Sequence, residues 1–250
     1  SLSQIGGKGV FIKGLERALL DHEIDMAVHS LKDVTSQIEE GLTLNAYLSP
    51  ESQSDVVVLG PKKEMTMPLK IGTGSLRRRM YLHRLYPHWE IEDIRGNVET
   101  RIQKVSDGHL DGVVLSEAGL IRLNLPHHIS HHFDIKTFLP APGQGVIAVE
   151  IRNDDVHARN VTETLNDPDQ SAISRLEMAV LKELGFGCQA PFGMTVHPKD
   201  EKLHVVMGLG DKNGRNYHEE TLQGTLSEIK TTISHPLSIL KKACGYHDNR

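Results

Sequence analysis

Apolar side chains recur along the chain with two spacings, and each spacing predicts one kind of element. Phe11, Leu15, Ala18 and Leu19 lie three or four positions apart, which indicates one face of a helix. Short apolar runs predict strands, and helical patterns separate most of them. The predicted strands are residues 24–29, 42–48, 55–59, 91–94, 112–115 and 146–151, and the predicted helices are residues 76–85, 98–105 and 117–123.

Strands that alternate with helices of this length are typical of βαβ units, so we expect an α/β fold with mostly parallel sheets. Residues 140–145, PAPGQG, predict a hinge or a crossing between domains before the next strand. The order of elements changes towards the C-terminus, where we expect a separate, smaller α+β domain. Its predicted elements are a helix over 171–184, a glycine-rich turn around Cys188, strands near 194–197 and 203–209, and a final helix.

Composition narrows the class of protein. The 250 residues carry 28 Lys and Arg against 33 Asp and Glu, a net charge of −5, which argues against a nucleic-acid partner. No apolar run approaches the roughly 20 residues that span a bilayer and no signal-peptide pattern occurs, so we expect no membrane partner. The two cysteines, Cys188 and Cys244, cannot form a disulfide framework, which indicates a reducing, cytoplasmic compartment.

Two segments concentrate arginine in this acidic chain. Residues 72–79, GTGSLRRR, and residues 93–101, DIRGNVETR, each follow a short apolar run and lead into a predicted helix. Guanidinium groups and free backbone N–H groups therefore meet at strand-to-helix turns, where anions bind. Arg79 is the weakest candidate ligand, because three adjacent helical residues cannot all face one ligand. The segments predict a specific anion site rather than a generally basic surface.

An alternative to an anion site is that these arginines are solvated or form ion pairs with neighbouring carboxylates. The candidate carboxylates are Glu90, Glu92, Asp93 and Glu99. A nucleotide is a poor candidate for the anion, because the Gly-x-x-x-x-Gly-Lys-Ser/Thr pattern of a phosphate loop does not occur.

Residues 29–33, HSLKD, directly follow residues 24–28 of the first predicted strand. Ligands collect at the carboxyl ends of strands in parallel sheets, so Asp33 beside Lys32 is a candidate for acid–base chemistry or for stabilising a cation. A surface turn with an aspartate helix cap would explain the same five residues.

Cys188 lies in residues 185–193, GFGCQAPFG, which predict a tight exposed turn. A thiol on such a turn can be a nucleophile or a covalent attachment point. The alternative is a small buried hydrophobe, which is the interpretation we adopt for Cys244.

A run of histidines is the remaining candidate for chemistry. If this stretch were helical, its histidines could bind a metal. No Cys or carboxylate neighbours complete a site, so we expect a surface loop and no metal. They are His127, His128, His131 and His132.

Taken together, the segments resemble the porphobilinogen deaminase family. The matching stretches occur in the family's order and run from the first residues to about residue 193. They are residues 6–11, 27–33, 72–78, 95–98 with 100–101, 118–120, 142–145 and 187–189.

The resemblance implies a transferase with hydroxymethylbilane synthase activity. The family joins four porphobilinogen molecules head to tail with loss of ammonia, then releases the linear tetrapyrrole 1-hydroxymethylbilane by hydrolysis. The primer is a dipyrromethane cofactor bound covalently through a thioether, here to Cys188. The catalytic aspartate corresponds to Asp33, which would bond pyrrole N–H groups and stabilise the cationic azafulvene, with Lys32 beside it.

The resemblance also implies how the ligands' carboxylates are held, since each pyrrole carries an acetate and a propionate. The cofactor-binding residues would be Cys188, Ser75, Arg77, Arg78, Arg95 and Gln144. The substrate-binding residues would be Arg95, Arg101, Arg122, Lys8 and Ser30.

The family's architecture implies two α/β domains like those of periplasmic binding proteins, which flank a cleft, and a C-terminal α+β domain with the cysteine loop. Residues 1–49 and 146–163 would form domain 1, residues 50–145 domain 2 and residues 165–250 domain 3. The family also has an N-terminal strand and an arginine- and serine-bearing segment that this sequence does not include, so we expect a fragment. We expect a monomer that acts on a small molecule.

Two alternatives stay open. A ligand-binding module with two α/β lobes around a small anion would need Arg77, Arg78 and Arg95, but neither Asp33 nor Cys188. An inactive homologue of the deaminase is the other alternative.

Overall fold

The chain forms two compact units. The structure is a computed structural model that describes residues 8–185, 190–211, 213 and 215–246, with side chains from residue 12 onward. The first unit comprises Ser1–Glu51 and Pro142–Cys188, and the second comprises Ser52–Ala141 and Gln189–Arg250. The division into three domains stays a prediction.

Helices and strands alternate over most of the described chain, which confirms the α/β class. The first elements in chain order are α1 (Lys8–Leu20), β1 (Ala27–Ser30), β2 (Leu42–Leu48), β3 (Asp55–Leu59), β4 (Lys70–Gly72), α2 (Leu76–Leu85), β5 (Glu90–Glu92), α3 (Val98–Ser106), β6 (Gly112–Ser116), α4 (Glu117–Arg122) and β7 (His131–His132). The later ones are β8 (Ile147–Arg152), α5 (Val156–Glu163), α6 (Pro168–Leu184), β9 (Phe192–Lys199), β10 (Lys202–Leu209), β11 (His218–Gly224), α7 (Leu226–Thr232) and α8 (Ser234–Ala243).

The first unit is built on a three-stranded antiparallel sheet of order β1-β8-β2. Its central strand β8 is buried on both faces, one of which carries the charged residues Glu150 and Arg152, as suits a strand covered on both sides. Helices α1, α5 and α6 contact the strands of this sheet. Leu31, Val146 and Ala148 belong to the core at the end of the sheet where β8 begins.

The second unit contains two sheets. The larger has the order β5-β4-β6-β3-β7; β4 runs parallel to β5 and β6, and β3 runs antiparallel to β6 and β7. The smaller sheet, β11-β10-β9, is antiparallel, and α7 and α8 contact it. Within the described residues, no helix is long and apolar enough to cross a membrane.

The expectation of mostly parallel sheets is wrong. Among the described strands only β4 pairs in parallel, and the other pairings are antiparallel. Apolar spacing reports whether a residue is in a strand and which face it covers, but it does not encode the direction of the neighbouring strand. Direction follows from the connections: β8 enters the first sheet after the whole β3–β7 segment, and a short turn joins β9 to β10.

Several helices and strands have the bounds predicted from the sequence, and others differ from the predicted bounds for physical reasons. The bounds of β2, β3 and α2 are as predicted. Helix α6 begins at Pro168 rather than at residue 171, because the Asp167 carboxylate caps it and proline fits the first helical position. Strand β5 ends at Glu92, and Ile94 instead packs in the core between α3 and the sheet. The sequence analysis missed α5, β7 and β11.

Candidate cofactor and substrate site

The two arginine-bearing turns lie side by side in the second unit. Because β4, β5 and β6 are parallel, the turns that follow them leave the same edge of the sheet. The Thr73 N–H donates to the carbonyl of Glu92 at 2.9 Å. A Cβ at Gly74 would come within 2.9 Å of the Ile94 carbonyl oxygen, so glycine permits this close approach. The two arginine-bearing turns therefore pack against each other.

A polar cap begins the helix that follows each turn. The Ser75 hydroxyl accepts from the Arg78 N–H at the start of α2, and the Asn97 side chain accepts from the Thr100 N–H at the start of α3. These caps fix where each helix starts, and therefore which arginines lie in its first turn. Ser75 therefore lies at the start of α2, and its hydroxyl oxygen already accepts a hydrogen bond from the helix.

Arg77 and Arg78 are both buried, and both bind the carboxylate of Asp55. Arg77 Nη1 lies 2.6 Å from Asp55 Oδ2 and also donates to the Leu139 carbonyl at 2.8 Å. Arg78 Nε and Nη2 lie 2.9 and 2.7 Å from Asp55 Oδ1, and its Nη1 donates to the Val114 carbonyl at 3.0 Å. The two guanidinium groups are therefore held by one buried carboxylate and two strand or loop carbonyls.

Arg101 adds to the positive charge at this edge. Its Nε donates to the Gly96 carbonyl at 2.8 Å, which keeps the side chain beside the β5–α3 turn. Burial lowers the pKa of Arg78, Asp55 raises it, and the charges of Arg77 and Arg101 lower it further. Arg77 and Arg101 therefore add to the positive potential at Arg78, which favours an anion nearby.

Asp55 is the residue that sequence reasoning missed. The alternative for the arginines named Glu90, Glu92, Asp93 and Glu99 as partners, and the structure pairs Arg77 and Arg78 with Asp55 instead. A signal was present, because Asp55 opens the strand Asp55–Leu59, in which apolar residues follow it. A carboxylate at the end of a buried strand requires a cationic or hydrogen-bonding partner.

The remaining arginines are less enclosed. Arg95 is exposed in the turn after β5, and Arg122 is exposed at the last position of α4. Arg79 Nη1 points to the Ile91 carbonyl at 3.4 Å, so it faces β5 rather than Asp55. This agrees with the expectation that three consecutive helical arginines do not share one ligand.

In the first unit, Lys32 and Asp33 are half-buried in a one-turn 3₁₀ helix that directly follows β1, while Ser30 is exposed at the end of that strand. The turn is anchored by Leu31, whose side chain is fully buried and whose N–H donates to the Val146 carbonyl at 3.0 Å. The two polar side chains are thus presented at a strand end by a fixed backbone.

The Gln144 turn lies against the Asp33 turn. Gly143 has a φ of +71°, and a Cβ there would come within 2.7 Å of Leu31 Cγ. Beneath the turn, the buried carboxyl of Glu177 accepts from the Gly143 N–H at 2.9 Å. Gln144 itself is buried. The structure therefore brings the predicted residues Lys32, Asp33 and Gln144 into one region of the first unit.

Other candidates fall outside this picture. Cys188 and the side chain of Lys8 lie outside the described residues. Cys244 is a buried thiol whose Sγ lies 3.2 Å from the Leu209 carbonyl oxygen, as expected for a small buried residue. His131 and His132 form the exposed strand β7. Within the described part of the chain, no three metal-ligating side chains cluster.

Arginines at the carboxyl ends of parallel strands, beside capped helix starts, are an arrangement by which α/β proteins bind anions. Comparison with known proteins makes this class specific. The family model described as "Porphobilinogen deaminase, dipyromethane cofactor binding domain" matches residues 1–160. The chain belongs to the porphobilinogen deaminase family, which is a family of transferases, and the cofactor of the matched domain is dipyrromethane.

Curated relatives carry the same family name. The porphobilinogen deaminase of Syntrophobacter fumaroxidans is 40% identical over 232 residues, which is 92% of this chain and 75% of the relative. That of Chlorobium phaeovibrioides is 38% identical over 239 residues, 94% of this chain and 74% of the relative.

Solved structures similar to this chain include periplasmic binding proteins at low similarity. A putative periplasmic sulfonate-binding protein from Methylobacillus flagellatus matches with a TM-score of 0.36 and 14% identity, over 67% of this chain and 51% of that one. An ABC transporter from Parabacteroides distasonis matches with a TM-score of 0.40 and 16% identity, over 68% and 60% of the two chains. Values of this size carry no conclusion about this protein.

The residues of the second unit fit the cofactor. A dipyrromethane with acetate and propionate groups presents carboxylates, and the donors at this edge are guanidinium groups, which bind carboxylates through paired N–H bonds. Gly74 lets the two turns that carry these arginines pack closely. The chemistry of these donors therefore suits the ligand that the family model names.

Proposed function

We propose that this protein is a hydroxymethylbilane synthase. The arginines at the carboxyl ends of β4, β5 and β6 bind the carboxylates of the cofactor and the substrate, and Asp33 stabilises the positive charge that develops on the substrate. The observation that carries the proposal is the pair of buried guanidinium groups of Arg77 and Arg78 on Asp55, with Arg101 beside them. Two buried arginines on one carboxylate make a site that favours a further anion.

The proposal divides the residues between the cofactor and the substrate, and Arg95 serves both. Cys188 holds the dipyrromethane by a thioether, and Ser75, Arg77, Arg78, Arg95 and Gln144 bind it. When bound, the dipyrromethane supplies the terminal pyrrole carbon to which substrate is joined. Arg95, Arg101, Arg122, Lys8 and Ser30 bind the carboxylates of porphobilinogen, so that the substrate is oriented before reaction.

Asp33 acts at the step in which porphobilinogen loses ammonia. The departure of the amine leaves a cation on the substrate pyrrole, and a fixed carboxylate at that position lowers its energy. The half-buried turn that carries Lys32 and Asp33 is held by the buried Leu31, so the carboxylate needs little reorganisation. Each condensation releases one ammonia and forms one carbon–carbon bond, and hydrolysis then frees 1-hydroxymethylbilane.

The first experiment tests the attachment of the cofactor. Protein made in cells that produce porphobilinogen is expected to exceed its sequence mass by the mass of a dipyrrole. Cys188→Ala should remove the excess, and the matched variant Cys244→Ala, which changes the buried thiol, should keep it. An unmodified Cys188 in active protein would contradict the proposal.

The second experiment separates an enzyme from a ligand-binding module. Asp33→Asn should abolish most turnover while porphobilinogen still binds, since the arginines are intact. Asp154→Asn, an exposed aspartate of the same unit, is the control and should leave turnover unchanged. Full turnover in Asp33→Asn would reject the assigned role of Asp33.

We further propose that the protein acts in the cytoplasm as a monomer. The content of only two cysteines supports a reducing compartment. Light scattering on the purified protein gives the mass in solution, and a dimer mass would contradict the proposal.

A further inference from the structure

Asp55 connects the two arginines that the proposed function assigns to the cofactor. It is the first residue of β3, only 1% exposed, and it pairs with Ser116 at the end of β6. Since β3 is antiparallel to β6, the start of β3 lies at the edge where β6 ends, which is the edge that carries the arginine turns. The position of Asp55 is thus fixed by the sheet and not by a flexible loop.

The contacts of Asp55 do more than neutralise charge. Its two oxygens are divided between the arginines, Oδ2 to Arg77 and Oδ1 to Arg78. Each guanidinium has a second tether, to the Leu139 carbonyl for Arg77 and to the Val114 carbonyl for Arg78. Because a guanidinium group is planar, tethers from two directions fix its plane as well as its position.

The charges around this carboxylate are mainly positive. The groups that act on Arg78 are Asp55, which favours its charged form, and Arg77 and Arg101, which oppose it. A carboxylate from a ligand would add a second negative charge to this group of cations. In a buried setting that attraction is stronger than at the surface, and it depends on how the donors are oriented.

We propose that Asp55 is a positioning residue for the cofactor: it holds Arg77 and Arg78 in the orientation in which their guanidinium groups receive the cofactor's carboxylates. The inference rests on the proposed function, because it requires that these arginines bind the cofactor. A purely structural Asp55 would change stability alone, whereas a positioning residue also changes how fast the folded protein takes up its cofactor.

The test follows the gain of mass when apoprotein, made in cells that lack porphobilinogen, is incubated with porphobilinogen. Asp55→Asn is compared with Asp155→Asn, which removes a carboxylate 2.6 Å from the buried Arg152 in the first unit. Both variants should lose stability in urea. With both folded by circular dichroism, only Asp55→Asn should gain the dipyrrole mass more slowly, by about tenfold or more.

A folded Asp55→Asn variant that gains mass at the wild-type rate overturns the inference. Should that variant not fold, Asp55→Glu keeps the charge but displaces it by one methylene group. Folded Asp55→Glu is expected to acquire the cofactor more slowly than wild type, and a wild-type rate overturns the inference equally.

Arg78→Lys separates this inference from the proposed function, because lysine keeps the charge but cannot make the paired bonds. Fast uptake in both Arg78→Lys and Asp55→Asn would mean that the arginine site does not serve the cofactor. Slow uptake in Arg78→Lys with fast uptake in Asp55→Asn would reject the positioning role alone.

Discussion

The backbone of Gly193 lies against the carbonyl group of Leu139, so that a Cβ at position 193 would come within 2.7 Å of the carbonyl oxygen. That oxygen is the one that accepts the hydrogen bond from Arg77 Nη1. The next residue, Met194, donates its N–H to the Pro140 carbonyl at 2.9 Å. The start of β9 therefore packs directly on the loop segment that supports an arginine of the candidate site.

Gly193→Ala should consequently disturb both the packing and the support of Arg77. The new methyl group would also lie 2.9 Å from the Tyr81 hydroxyl oxygen, so neighbours must move. We expect a loss of about 1–3 kcal/mol in the free energy of unfolding, measured in urea. Gly60→Ala is the control, since its Cβ would meet neighbours only at 3.5 Å; an equal loss in both variants would contradict the account.

Ser75 has two assigned tasks, capping α2 and contacting the cofactor, and substitutions can separate them. Ser75→Ala removes the cap and should cost about 1 kcal/mol in stability. Ser75→Asp keeps a capping oxygen but places a carboxylate beside the arginines, so stability should be retained while uptake of the dipyrrole mass falls. Normal uptake in Ser75→Asp would remove Ser75 from the cofactor site.

Glu177 predicts a specific dependence of stability on pH. Burial raises the pKa of its carboxyl from 4.5 to about 8, although the Gly143 N–H opposes the shift. Between pH 4.5 and about 8, Glu177 keeps its proton in the folded state and releases it in the unfolded state. The contribution of the protonated carboxyl to the free energy of unfolding is therefore complete below pH 4.5 and is lost as the pH rises towards 8. The slope is about 1.4 kcal/mol per pH unit within that window.

Glu177→Gln should remove this dependence, because glutamine does not ionise and its carbonyl can still accept from the Gly143 N–H. Urea unfolding across the window should show the wild type losing stability relative to the variant as the pH rises. Glu163→Gln, an exposed glutamate of the same unit, should follow the wild type. Parallel curves for the wild type and Glu177→Gln would show that Glu177 ionises normally.

Arg152 is expected to be the most sensitive arginine of the first unit. Its guanidinium donates to the carbonyls of Leu19 and Ile24 and contacts the carboxylates of Asp25 and Asp155. Lysine cannot reach four acceptors in this arrangement, so Arg152→Lys should lower the free energy of unfolding by about 2–4 kcal/mol. Arg17→Lys, in an exposed pair with Asp21, should change it by less than about 1 kcal/mol. A small effect at Arg152 would mean that its contacts contribute little net stability.

The sequence was most informative where the controlling interactions are local. The bounds of α2 follow from its apolar spacing and from the Ser75 cap, both contained within a few residues. The position of both arginine segments between a strand and a helix also followed, because each segment follows a short apolar run and leads into a helical pattern. Helix α5 was missed although Asp155 caps it, because its exposed face carries Val156 and Val161 and blurs the amphipathic pattern.

By itself the sequence determined the α/β class, the arginine turns, the strand end that carries Asp33 and the membership of the porphobilinogen deaminase family. Only the tertiary structure decided the antiparallel pairing of most strands and the partner of the buried arginines. Asp55 lies 22 positions before Arg77, and the Leu139 carbonyl lies 62 positions after it. Contacts at these separations depend on how strands are ordered in a sheet, and side-chain periodicity carries no record of that order.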